Sequence, residues 1–194
     1  MLKAFLAAAV LFVTAAVSKA EEYVIFFTAT GPKNEVELHH TYATFLKKNK
    51  QGKLESRTIS WLPKSRKIQP NALRAEEGVN LDVCETNRWA KERKCEVRRH
   101  GPFKVEDGLF ELADAQVQRL ESGLVKYRYN DGVIRKQVTN GYNAVADVYV
   151  PKLANVKDRP KDLVSNFESW YLAGGNDHGW LLKELQIEHI KEAK

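Results

Sequence analysis

The sequence predicts an α+β domain in which an antiparallel sheet packs against helices. Three observations predict it. Runs rich in aromatic and β-branched residues end at turn signals, two of these runs are spaced as a hairpin, and one segment repeats apolar residues at helical intervals.

The elements follow in order. "EYVIFFTAT" reads as a buried strand closed by Gly31-Pro32. "HHTYATFLKK" and "LESRTISWLP" flank the turn-like "NKQGK" as a hairpin, with Tyr42 and Ala43 on opposite faces, Ile59 and Ser60 likewise, and Pro63 as the stop. "NLDVCETNRWAKER" reads as a helix with Asn80 as its N-cap. "VEDGLFELADAQVQRLESG" is the clearest helix: Leu109, Ala113, Val117 and Leu120 recur every three to four positions and Gly123 supplies the C-terminal stop. Next, "LVKYRY" and "VIRKQV" read as strands around a turn at Asn130-Asp131-Gly132. "NGYNAVADVYVP" has two readings. "AVADVYV" suits a strand, whereas Asn140 as an N-cap before small residues suits a short helix; Pro151 ends either. The tail holds an amphipathic "DLVSNFESWYL", then Gly174-Gly175 and "NDHGWLLKELQIEHIKEAK".

The amino terminus carries a different signal. Residues 4–17 form an uncharged apolar run after Lys3, and Ser18-Lys19-Ala20 gives a small-x-small pattern before Glu21-Glu22. This predicts a secretory signal peptide over residues 1–20, and hence a secreted or periplasmic protein with one domain over 21–194. The run is shorter than the roughly 20 residues that span a bilayer, so no membrane span is expected. Loss of Lys3 and Lys19 lowers the formal net charge from +6 to +4. The cations are interspersed with acids as solvated faces, which speaks against nucleic acid as a partner. Cys84 and Cys95 are the only cysteines. Export permits a local disulfide between them, although their spacing demands a chain reversal. They lack the second ligand pair of a zinc site, and no cofactor is expected.

Beyond these local signals, "HTYATF" (40–45), "TISWLP" (58–63), "HGPF" (100–103) and "QRLESGLVKYRY" (118–129) stand in an order that resembles a family. From His39 onward the chain is similar to bacterial secreted proteins with a circularly permuted papain-like fold, relatives of NlpC-type cysteine peptidases and of lecithin retinol acyltransferase. In that group a His opens a strand, and roughly a hundred residues later a Cys stands at a helix start within N-C-x-H. Here Gly141 follows His40 by 101 positions. The resemblance implies His40 as the former base, Ser60 or Thr58 as the residue orienting it, Gly141 at the nucleophile position and Asn143 at the downstream His.

Glycine has no atom with which to attack an acyl carbon, so the implied site is degenerate. Asn140, Gly141, Asn143, Trp61 and His178 are the expected ligand-binding residues. A metal held by His39, His40 and His178 is disfavoured because neighbouring strand residues point apart. The expected function is a catalytically inactive relative that binds a peptide, a cell-wall fragment or an acyl group in the former cleft. Two alternatives stand beside it: an active hydrolase or acyltransferase using Ser60 or Cys84 with His40 as base, and an exported structural or interaction protein.

Overall fold

The computed structural model describes residues 20–32, 39–130, 138–149 and 179–193. The chain is mixed α+β with mainly antiparallel sheets. Strands β1 (Glu21–Thr30), β2 (His39–Lys48) and β3 (Leu54–Ile59) form a meander, with β2 paired to both neighbours from Glu21↔Lys48 to Lys48↔Leu54. The expected hairpin is therefore present, but its second strand breaks at Ser60, and Trp61–Pro63 join a different sheet. Strand β6 (Glu96–Val105) pairs antiparallel on the other side of β1, and β9 (Lys191–Glu192) adds a short parallel edge, giving the order β3-β2-β1-β6-β9. A second sheet joins β4 (Trp61–Pro63), β5 (Glu76–Asn80), β7 (Lys126–Tyr127) and β8 (Val138–Thr139).

β1 and β2 are apolar on both faces because the larger sheet is a middle layer. Val24, Phe26, Ala43 and Phe45 pack with α2 (Leu109–Glu121) and α3 (Gly141–Tyr149), through Leu109, Ala113, Leu120, Ala144 and Val148. On the opposite face Ile25, Phe27, Tyr42 and Leu46 pack with α1 (Val83–Glu92) and α4 (Trp180–Glu184), through Trp89, Ala90, Leu181 and Leu182. Among the described residues no helix is long and apolar enough to cross a membrane.

The clearest predicted helix, α2, is anchored by a buried carboxylate. The N–H groups of Gly108 and Phe110 donate to Oε2 of Glu22 at 3.1 and 2.8 Å, and Lys47 Nζ stands 3.4 Å from its other oxygen. A carboxylate at a helix N-terminus satisfies amides that have no partner within the helix. Gly123, with φ 78°, follows its end as expected.

Three expectations need correction or completion. α1 is present, but its N-cap is Asp82 and not Asn80: the Asp82 side chain accepts from the Glu85 N–H, and the Glu85 side chain accepts from the Asp82 N–H. Asn80 ends β5 instead, since the extended chain continues until the Leu81 N–H has bonded to Ser60 C=O at 3.1 Å. The D-x-x-E capping box was the better local signal. No disulfide joins Cys84 and Cys95. Cys84 lies at the start of α1 and Cys95 beyond its end, and a helix of this length separates its ends by about 15 Å, far more than a disulfide bridges. The two readings of "NGYNAVADV" resolve to a helix. Most of "VIRKQV", the turn ahead of it, "DLVSNFESWYL" and residues 1–19 lie outside the described residues.

Candidate functional site

The site grows out of a gap at the edge of β2. Pairing between β2 and β3 ends at Ala43↔Ile59, and beyond it the chain leaves the sheet at Ser60 to enter β4. Asn80 stabilises this break, its Oδ1 accepting from the Ser60 N–H at 2.8 Å and its Nδ2 donating to Thr58 C=O at 2.9 Å. The end of β2, residues 39–42, is thereby left without β3 beside it, and the start of α3 fills the place. Asn140 initiates that helix. Its side chain accepts from the Asn143 N–H at 2.8 Å, its C=O from the Ala144 N–H at 2.9 Å, and its Nδ2 donates to Tyr129 C=O at 2.9 Å.

This brings Gly141 onto His40. A Cβ on Gly141 would stand 2.6 Å from His40 Nδ1, 2.7 Å from Cε1 and 2.9 Å from the Thr41 carbonyl oxygen, closer than real carbon atoms approach. Only glycine fits without displacing a ring or the backbone. On its other side His40 Nε2 is 2.9 Å from Ser60 Oγ. The ring stacks on Tyr42 at 5.5 Å and meets Trp89 edge-on at 5.4 Å. Tyr42 is in turn fixed by its hydroxyl, which donates to Asn87 Oδ1 at 2.5 Å.

His40 is 3% exposed and Ser60 0%. Burial pushes the imidazole pKa down to about 3, so the ring is neutral at physiological pH. Such a ring makes a single N–H. Either Nε2–H donates to Ser60, or the Ser60 hydroxyl donates to Nε2. This arrangement is poor for catalysis. A general base works best with a pKa near the operating pH, the Nδ1 side offers no nucleophilic atom, and the one hydroxyl in reach is sealed from solvent.

The remaining candidates fall as follows. Asn143 is buried in the first turn of α3, close to Gly141. Trp61 is a core residue whose indole covers Gly78, where a Cβ would overlap the ring, and whose Nε1 has no hydrogen-bond partner among the described residues. Thr58 does not reach the imidazole; its hydroxyl pairs with that of Thr44 at 3.0 Å. His39 is exposed and precedes His40 on the strand, so the two rings face apart. Cys84 is exposed at the far end of α1 from the turn carrying Trp89, and the contacts of the His40 ring come from Tyr42, Trp89, Ser60 and Gly141. His178 lies outside the described residues. Among the described residues no group of three or more His, Cys, Asp or Glu is placed to hold a metal ion.

Sequence reasoning missed Asn80 as the clamp of the strand break and Tyr42 as a wall beside His40. Nothing local marks Tyr42, whose position reads simply as one face of a strand, whereas Trp89 reads as core or a pocket wall. Set against known proteins, the chain matches no family model, no curated protein and no solved structure.

Proposed function

We propose that this protein is an exported, catalytically inactive relative of permuted papain-like hydrolases and acyltransferases that binds a peptide, a cell-wall fragment or an acyl group. One observation carries the reading: the two nitrogens of a single buried imidazole are divided between Ser60 at Nε2 and a helix-starting glycine at Nδ1. An orienting hydroxyl on one side and a helix N-terminus on the other is the arrangement a cysteine–histidine site requires. Here the position that needs the thiolate carries no side chain. The first strand begins at Glu21, the residue after the expected cut, which is compatible with removal of residues 1–20.

The neutral, packed His40 serves as structure in this reading, and a ligand meets the rim formed by the first turn of α3, where Tyr142 is half-buried beside Asn143. A serine-directed fluorophosphonate probe applied to the full chain tests the absence of catalysis. No adduct is expected at Ser60; an adduct there, or esterase or amidase turnover abolished by His40→Ala, would establish the hydrolase alternative instead. Titration with muropeptides, short peptides and acyl thioesters, followed by tryptophan fluorescence, tests the binding role. Saturable binding that is weakened by Asn143→Ala is the expected result.

A further inference from the structure

The connection between β4 and β5, residues 64–75, carries Lys64, Arg66, Lys67 and Arg74 and no acidic residue, and all four cations are exposed. Hydrogen bonds define its shape. The Arg66 N–H donates to Pro63 C=O at 2.7 Å, the Ala72 N–H to Gln69 C=O at 3.1 Å, and Asn130 Nδ2 to Pro70 C=O at 3.1 Å. The Arg66 carbonyl accepts from both Trp89 Nε1 and Arg93 Nη2 at 3.0 Å, which docks the loop on the C-terminal end of α1. The same end of α1 carries the exposed Lys91 and Lys94.

Complementing the helix dipole accounts for the cations at the end of α1. It does not account for a second cationic segment brought to the same place, where like charges repel. Over residues 64–77 and 91–94 seven cations stand against three carboxylates, Glu76, Glu92 and Glu77, the last paired with Lys64 at 2.5 Å, a net charge of +4. A second observation concerns the same loop. Leu73, beside Arg74 and just after the turn at 69–72, is 92% exposed, the most exposed large apolar side chain among the described residues.

We propose that this face, the 64–75 loop with the end of α1, docks on an anionic phospholipid surface. A soluble polyanion would satisfy the cations and leave Leu73 in water. A bilayer surface engages both, with Lys and Arg at the phosphates and the leucine at the boundary between headgroups and acyl chains. The attachment is peripheral, and the loop is linked to the His40 surroundings through Trp89.

The test is co-sedimentation of the full chain with vesicles of phosphatidylcholine alone or mixed with phosphatidylglycerol. The readout is the difference between the two vesicles, because an apolar amino-terminal segment would partition into both alike. Binding is expected on the anionic vesicles and should fall as salt shortens the screening length. Each lost cation costs about fivefold near such a surface, so Lys67→Gln with Arg74→Gln should weaken binding roughly 30-fold. Leu73→Ser should weaken it about tenfold without altering the salt dependence. Neither change should move the melting temperature, since these exposed side chains lie outside the core. Equal retention on both vesicles, or full binding by the charge variant, would overturn the proposal. So would an unaffected Leu73→Ser variant displaced by soluble polyphosphate, which would mark a polyanion site instead.

Discussion

Gly141 lies against the imidazole of His40 so closely that a methyl group at its Cα would overlap Nδ1, at 2.6 Å. The lack of a side chain at position 141 and its tight contact with His40 are thus one structural fact. With glycine at the start of α3, the helix lies so close to the ring and the Thr41 carbonyl that no room is left for a side chain.

Gly141→Ala should therefore destabilise the protein, by about 1–3 kcal/mol, the usual range for overpacking a filled core. Cutting His40 back to Ala removes the obstacle, so the double variant should be less destabilised than the sum of the two single ones, with a coupling of about 1 kcal/mol or more. Urea unfolding of the four proteins measures this. A Gly141→Ala protein as stable as the wild type would show that the close approach is absent in solution.

Acid should expose the buried histidine. Its folded pKa of about 3 lies below the unfolded value of 6.5, so on acidification the unfolded chain takes up the proton first. The stability contributed by the neutral ring is complete above pH 6.5 and is lost as pH falls from there toward 3, with a limiting slope of about 1.4 kcal/mol per pH unit. His40→Gln should lack that slope. Unfolding free energies of both proteins at several pH values across this window decide the matter, and parallel curves would count against a buried neutral His40.

Cys84 and Cys95 should titrate as two thiols in the denatured, unreduced protein. Cys84, exposed on α1, should also react in the folded state. Cys84→Ser should shift stability by no more than about 0.5 kcal/mol, as surface substitutions do. Recovery of an intramolecular disulfide by mass spectrometry would contradict the geometry of α1.

Glu22→Ala should cost about 3 kcal/mol, because it strips the Gly108 and Phe110 amides of their buried acceptor and leaves Lys47 without this partner. Glu22→Gln retains one acceptor oxygen and should cost less. Thermal melts of the two variants rank them, and equal melting temperatures would mean that the carboxylate does not anchor α2.

Much of this fold is legible along the chain, and the legible parts share a cause. The hairpin of β2 and β3 and the helix α2 are specified by residues within a few positions of one another: the turn before Leu54, the repeat from Leu109 to Leu120, the stop at Gly123. The order of His40, Ser60 and Gly141 is likewise a property of the sequence, and so is the absence of any nucleophilic atom at position 141. Tertiary structure decided the rest. "NAVADV" suits strand or helix equally, and becomes α3 where Asn140 can cap it and Gln116 of α2 can donate to the Ala144 carbonyl at 2.8 Å. Asn80 reads as a helix cap until the break between β3 and β4 claims both ends of its amide. Above all, the environment of His40 is assembled from β2, the break between β3 and β4, α1 and α3, segments up to about a hundred residues apart whose juxtaposition no local pattern encodes. Local periodicity and capping depend on neighbours in the chain, whereas desolvation of a side chain depends on whatever the fold packs around it. The sequence could thus name His40, Ser60 and Gly141, while only packing made the histidine neutral and left no room for a side chain on the glycine.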